Sequence, residues 1–307
     1  MNKIPVWIDT DTGVDDAVAL VVAGNLDNLD IVGISAVCGN TYMENAFNNA
    51  RDVLALIGKE HIKVYKGASR PLISDLNISS HIHGVNGIGD YILPESKAEI
   101  ETMNAYDALY EKALELNGEL VVCAIGPLTN IAISIAKHPD IVDYIKELNI
   151  MGGAIIGGNI SPCAEFNIYC DPHGAQNVFK SGIKINMFGL DVTSKAFLDE
   201  NDLNEIESYN NKLSDFLINS SKLYYEHGNA NHICQHDSCP IIYLAYPEIF
   251  EGHECGIYVE TRGSLTIGKT CCDLYSDFKF EDRHCKAFID INREKFVKLI
   301  KDIYKSY

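Results

Sequence analysis

Arginine is scarce in this chain. There are five, Arg51, Arg70, Arg262, Arg283 and Arg293, against 43 acidic residues and a formal charge of -18. Nucleic-acid binding needs clustered Lys and Arg to neutralise phosphates, so the balance argues against that partner. None of the five adjoins the motifs described below, which also disfavours a phosphorylated substrate. No run reaches the roughly 18 apolar residues of a membrane span, and no membrane association is expected. Ten cysteines are present without a single C-x-x-C spacing, which supports neither structural zinc nor a disulfide framework. Reduced thiols in a cytoplasmic protein are the expectation, since "MNKIPVWIDT" enters a strand-like run without the pattern of a signal peptide. Tryptophan occurs once, as Trp7 inside that run.

What is present is alternation. The 307 residues are 47% hydrophobic, enough for one large domain or two small ones. Strand-like runs "KIPVWI", "DIVGISAV", "IKVYKG", "ELVVCAI", "ELNIMGG" and "IKINMFGL" are separated by helix-like stretches at 15–25, 44–57, 105–116, 128–136 and 172–179. Short apolar strands alternating with amphipathic helices read as βαβ units. The fold class is therefore α/β: an open, mostly parallel sheet flanked by helices, with residues 1–307 forming one domain. After Lys195 the pattern turns mainly helical, with a short sheet-like section near "GIYVE" and a last helix from about Arg293. The connection at 68–104 is long and carries "HIHGVNGIGD"; long loops in compact domains are often functional.

Between "IPVWI" and "AVALVVAG", the stretch "DTDTGVDD" places Asp9, Asp11, Asp15 and Asp16 within eight positions. Asp9 and Asp11 follow the first strand, Asn40 the second, and "AIGPLTN", "MGGAIIGGN" and "GLDVTS" follow later ones. Ligands of open parallel sheets bind beyond the carboxyl ends of the strands, so these segments converge on one rim. Clustered carboxylates repel one another, and a cation is the usual remedy. Oxygen ligands without His or Cys indicate calcium or magnesium. An EF-hand is ruled out, because the twelfth position from Asp9 is Leu20 where a bidentate Glu is required. Asp15 and Asp16 would also favour the positive end of the first helix, but that leaves Asp9 and Asp11 unexplained.

"DTDTGVDDAVAL" resembles the aspartate signature of the inosine-uridine-preferring nucleoside hydrolases, departing from it only in Thr12 for a proline. "VCGNT", "IHGVNG", "GPLTNIA", "MGG" with "GNISPCAEFNIYCDPHGA", and "QHDSCP" resemble further family segments in the same order. The resemblance implies calcium-dependent hydrolysis of the N-glycosidic bond of ribonucleosides to free base and ribose. It places Ca²⁺ on Asp11, Asp16, the backbone carbonyl of Ile125 and Asp237, with ribose hydroxyls completing the shell. Asp15 and Asn167 would read the 2′- and 3′-hydroxyls, while Asn159, Glu165 and the backbone near Met151 would hold the 5′-hydroxyl. Asn40 would orient the sugar and the attacking water, Asp11 would act as general base, and His236 would protonate the leaving base. A histidine's ordinary pKa of about 6.5 suits that last task near neutrality. Purine-selective members stack the base on tryptophan, so a lone Trp7 in a strand favours pyrimidine or broad specificity. The partner expected is a small nucleoside, and the assembly a homodimer or homotetramer.

Blander readings stand beside these. His83 reads equally as structural or as facing substrate, and Tyr224 or Tyr225 as facing the base or as packing. Asp191 could lie at the rim or cap the next segment, and Glu165 and Asn167 would share a side only if extended. "WIDTDTG" also fits a haloacid-dehalogenase-type phosphatase, with Asp9 as nucleophile, Asp11 as acid/base and Mg²⁺ as cofactor. A non-catalytic, calcium-dependent nucleoside binder is a further alternative.

Overall fold

Runs with no polar residue, such as "LVVCA" at 120–124, make strands that are buried on both faces, as the middle of a parallel sheet requires. The computed structural model describes residues 3–227, 232–274, 280 and 284–307; Arg283 and the last two residues of "SSKLYYEHGN" lie outside the described residues. The strands are β1 (Ile4–Thr10), β2 (Leu29–Ala36), β3 (Val64–Lys66), β4 (Leu120–Ala124), β5 (Ile145–Met151) and β6 (Ile185–Phe188), then β7 (Phe197–Asp199), β8 (His232–Cys234), β9 (Phe250–Val259), β10 (Thr270–Asp273) and β11 (Cys285–Ile291). Nine of them form one sheet in the order β10-β9-β11-β6-β5-β4-β1-β2-β3, while β7 and β8 pair separately. From β3 to β11 all neighbours are parallel; β9 runs antiparallel to both β11 and β10. Among the described residues, no helix is long and apolar enough to cross a membrane.

The later part departs from the sequence reading. Its helices are there, but the section near "GIYVE" is not a short appendage. It is the ten-residue strand β9, which with β10 and β11 completes the main sheet. Charged residues at Glu251, His253 and Glu254 interrupt the apolar run, because an antiparallel strand near a sheet edge faces solvent in places.

Helices cover both faces. On one side, α1 (Val14–Asn25) is buried along nearly its whole length, so it carries no polar stripe. It packs with the helices at 43–56, 238–245 and 293–305 over Ile8, Ile34 and Phe188. On the other face the helices at 105–116, 129–137 and 172–179 cover Trp7, Val122 and Ile185. Trp7 is fully buried there, stacked on Tyr65 with centroids 5.4 Å apart and its Nε1 donating to Ser35 Oγ at 2.8 Å.

Chain order sets where a ligand can go. From β1 the sheet grows to β2 and β3 on one side, then jumps back to β4, β5 and β6 on the other. The strand order therefore reverses between β1 and β4, where the two following loops diverge and leave a crevice. Asp11 and Ile125 are the residues that emerge there.

The join between β6 and β11 is aromatic. Phe188 stacks on Phe288 with centroids 4.3 Å apart, against Tyr243 and Phe250. Phe188→Ala should cost about 3–5 kcal/mol of unfolding free energy, read as a lower urea midpoint at unchanged slope. A loss below about 1 kcal/mol would mean this cluster does not hold the two halves of the sheet together.

Candidate active site

The four aspartates of the first motif do four different things. Asp9 does not follow β1 but lies inside it, fully buried, with Oδ1 accepting from Ser35 Oγ and from Asn130 Nδ2, the latter at 2.7 Å. Burial pushes its pKa to about 7 against those bonds. It ties β1 to β2 and to the helix at 129–137, and is absent from the cleft lining. A phosphatase nucleophile must reach solvent and substrate, and this carboxylate reaches neither.

Asp11 sits just beyond β1, fully buried. Its Oδ2 accepts from the backbone N–H of Asn40 at 2.6 Å, while Oδ1 is buried with no hydrogen-bond partner. Glycines make room for it: a Cβ on Gly39 would overlap Oδ2, and one on Gly126 would lie 2.8 Å from Oδ1. Asp16 is the third residue of α1. Its Oδ2 accepts from Gly13 N at 2.8 Å and Asn40 Nδ2 at 2.9 Å, and its Oδ1 from Thr10 Oγ1 at 2.6 Å. It thus holds the Gly13 amide at the start of α1, one half of a capping box, since glycine has no side chain to return the bond. Like Asp11, it is fully buried and is not among the residues lining the cleft. Asp15, one residue earlier, lines the cleft.

Asp237, more than 200 residues further on, comes to the same place. Oxygens of Asp15, Asp16 and Asp237 lie within 4.8 Å of one another, all three residues buried. Burial and the charge of Asp16 raise Asp11 well above the usual carboxylate range and Asp15 to about 7; burial and the charge of Asp15 raise Asp237. Among the described residues, no Lys or Arg lines the cleft. Clustered carboxylates, an orphaned buried oxygen and no protein cation fit a hard divalent ion held by oxygen donors.

The other strands bring amides and carbonyls. Asn167 Nδ2 donates to the carbonyls of Ile125 at 3.0 Å and Met151 at 3.1 Å, linking the ends of β4 and β5. Glu165 caps the helix at 166–170. Its Oε1 accepts from Asn167 N, and its Oε2 from Gly153 N and Ile168 N, while burial pushes its pKa to about 7. Only Glu165 is extended; Asn167 lies in the first helical turn, yet both face the cleft. Asn159 accepts from Phe166 N at 2.9 Å and lines the same cleft, as do Asn40 and Met151.

The long connection supplies one wall. His83 is buried, and its Nδ1 accepts from the N–H of Val14 at 3.1 Å, so it serves as a side-chain cap for α1 as well as a lining residue. Burial lowers its pKa to about 3, which leaves a neutral ring with its proton on Nε2. Tyr224 lines the cleft with its ring edge-on to His83, centroids 6.3 Å apart, whereas Tyr225 lies in a separate cavity with Leu203 and Ile218. His236 is half-buried in the lining, with Nδ1 at 2.8 Å from Thr193 Oγ1. Burial takes it to about 4, so the ordinary value used in reading the sequence does not apply. Asp191 is outside the cleft and accepts from the N–H groups of Ile155 and Ile156. Sequence reasoning passed over Ser79, His81, Ile82, Ile160 and Phe166, which also line the cleft. His81 and Ile82 stand in the quoted "HIHG", and only their neighbour drew notice.

The raised carboxylates fix a pH dependence for the metal-free protein. Asp9, Asp15 and Glu165 sit at about 7 when folded. Their unfolded values are about 4, so between these limits the folded chain holds more protons and loses stability as pH rises. Chelator-treated protein should melt at a higher temperature at about pH 5.5 than at about pH 7.5, and a divalent cation should raise the melting temperature at the higher pH. A metal-free melting temperature that climbs toward neutrality would contradict this electrostatic picture.

A family model described as inosine-uridine preferring nucleoside hydrolase matches residues 6–298. The chain is similar to the pyrimidine-specific ribonucleoside hydrolase RihA of Photobacterium profundum, 35% identical over 99% of each chain. It is likewise similar to RihA of Escherichia coli, 34% identical with 99% of each covered. Among solved structures, a plant nucleoside hydrolase superposes with a TM-score of 0.94 at 28% identity, covering 99% of both chains. A purine-preferring ribonucleoside hydrolase from Gardnerella vaginalis gives 0.91 at 30% identity, covering 99% of this chain and 100% of that one.

Proposed function

The chain belongs to the inosine-uridine preferring nucleoside hydrolase family and is an N-glycosyl hydrolase, and on that premise we propose that it is a calcium-dependent ribonucleoside hydrolase of pyrimidine-preferring or broad specificity. The observation that carries the reading is the oxygen-only cluster at the point where strand order reverses, with Asp11 Oδ1 buried and unpartnered. The proposed ligands are Asp11, Asp16, Asp237 and the Ile125 carbonyl. When bound, the cation neutralises the cluster and lowers the pKa of water beside it.

The chain's own groups then divide the work. Asp11 takes the proton of the attacking water, held in place through Oδ2 by Asn40. Asn40 spends its Nδ2 on Asp16, which leaves Oδ1 for sugar or water. Asn167 spends its amide hydrogens on two carbonyls, so its oxygen is what remains for a ribose hydroxyl beside Asp15. Glu165 has three of about four acceptor sites filled by backbone N–H groups, and one remains for the 5′-hydroxyl near Asn159 and Met151. Breaking the N-glycosidic bond builds positive charge on the ribose, which the acidic wall stabilises. Water on one face and a donor to the base on the other give the inverting geometry of glycosidases. His236, with His83 and Tyr224 on the same wall, is the proposed group opposite the leaving base.

Two features support a nucleoside rather than a nucleotide, and a small or varied base. Among the described residues, the cleft has no Lys or Arg to meet a phosphate. Trp7 is spent in the core, so no tryptophan is available to stack a purine. The relatives named as pyrimidine-specific point the same way. A homodimer or homotetramer in the cytoplasm completes the proposal.

Reducing-sugar release from a panel of nucleosides tests it. Uridine and cytidine should be cleaved ahead of adenosine; a strong preference for inosine or guanosine would overturn the specificity, and no release from any nucleoside would favour a non-catalytic binder. Asp11→Asn should lower turnover at least several hundred-fold, within the range for general-base catalysis. Near-normal turnover by protein shown by elemental analysis to be metal-free would sink the calcium assignment.

A further inference from the structure

We propose that Thr193 is a positioning residue for the leaving-group side of the reaction: its hydroxyl holds the His236 ring with Nε2–H turned into the cleft. The inference rests on the reading of His236 as the group that meets the departing base.

The geometry begins with β6. Its last residue, Phe188, is anchored in the aromatic cluster, and the chain then makes one helical turn at 190–193. That turn is fixed at its start by Leu190 N donating to Gly153 O at 2.9 Å, and at its end by Ala196 N donating to Thr193 O at 3.1 Å. Thr193 is fully buried, with a β-branched side chain that has few rotamers to choose from. The segment carrying His236 is tied to the same turn, because Gln235 N donates to Ala196 O at 2.7 Å. The backbone bond sets the distance, and the side-chain pair, Thr193 Oγ1 to His236 Nδ1 at 2.8 Å, sets the ring's rotation.

The direction of that bond follows from counting donors. A hydroxyl carries one hydrogen and two lone pairs. Among the described residues no other acceptor is placed against the Thr193 hydroxyl. If Nδ1 carried the ring proton and donated, the hydroxyl hydrogen would be buried without a partner, at a cost of roughly 1–3 kcal/mol. If the hydroxyl donates to the Nδ1 lone pair, both groups are satisfied. The neutral ring then carries its hydrogen on Nε2, the nitrogen left for the cleft. A methyl in place of the hydroxyl removes the bond without changing the side chain's shape, and frees the ring to rotate or to take the other tautomer.

The test is a double-mutant cycle with two leaving groups. Uridine needs help to release its base, while a riboside of p-nitrophenol leaves well unaided. His236→Ala should slow uridine by roughly 10²- to 10⁴-fold and the nitrophenyl riboside far less. Thr193→Val should slow uridine by roughly tenfold to a hundredfold in kcat with little change in KM, spare the nitrophenyl riboside, and cost almost nothing once His236 is already alanine. Thr193→Ser, which keeps the hydroxyl, should restore most of the activity. If Thr193→Val does not fold, Thr193→Ala carries the same comparison. A large effect of His236→Ala with none of Thr193→Val on uridine would overturn the inference alone. Equal losses on both substrates for His236→Ala would remove the reading beneath it. Equal losses on both for Thr193→Val, or additivity with His236→Ala, would make Thr193 a packing residue only.

Discussion

Mutual repulsion among buried carboxylates is the constraint on which this structure turns. Asp11, Asp15, Asp16 and Asp237 are each less than a tenth exposed; oxygens of the last three lie within 4.8 Å of one another, the charge of Asp16 acts on Asp11, and among the described residues no Lys or Arg lines the adjoining cleft to answer them. An arrangement of that kind is costly unless each charge is hydrogen-bonded and the set is neutralised by a cation or protons. The surroundings are built to that end. Backbone N–H groups of Gly13 and Asn40, the Thr10 hydroxyl and the Asn40 amide all donate into the cluster. They reach three of the cluster's oxygens, both of Asp16 and Oδ2 of Asp11, and stop short of Asp11 Oδ1. A cluster that fixes two of its carboxylates by hydrogen bonds and leaves a buried oxygen without a donor fits a bound cation.

The same constraint explains why the residues come from so many places. A short loop cannot hold several like charges together, but the carboxyl ends of parallel strands can, because each strand is fixed by its ladder and its buried faces. β1, β4 and β5 deliver Asp11, Ile125 and Met151 to one rim, and Asn167 joins the last two through their carbonyls. Asp9 shows the other half of the principle. It has the same side chain two residues earlier and faces the interior, where Ser35 and Asn130 use it to tie the sheet to a helix.

Much of this was legible in the residues themselves. Short apolar runs and 3.6-residue periodicity marked β1 to β6 and the helices read between them to within a residue or two, because buried parallel strands are uninterrupted apolar runs. Legibility failed where tertiary partners decide the outcome. Nothing local distinguishes Asp9 from Asp11; the difference is whether the residue is still inside the strand. β9 hides its membership of the main sheet because an antiparallel strand near an edge can carry Glu and His. Tyr224 and Tyr225 are adjacent, and only the orientation of one short helix sends the first to the cleft and the second to another cavity. For His236 the residue type suggested a proton near neutrality, and burial, which sequence does not display, moved it down to about 4.

The two sides of the cleft are mounted differently, and that bears on how one fold serves different bases. Groups proposed for the sugar sit on strand ends or the first turns that follow them, where a shift of one residue would disturb the sheet. Those proposed for the base, His83, Tyr224 and His236, come from the long connection, a short helix and the segment after β8. The bonds that join them to the rest of the fold include the Val14 amide to His83, Gln235 N to Ala196 O, and Thr193 to His236. On the proposed reading, ribose recognition is tied to the architecture, whereas base recognition rests on segments that can change length and composition at little cost to the core. Relatives that share this architecture and carry pyrimidine-specific or purine-preferring names are what such a division permits. On that reading, specificity in this chain depends on which side chains the base-side segments present, and the lone tryptophan is not among them because it is holding β1 against Tyr65 in the core.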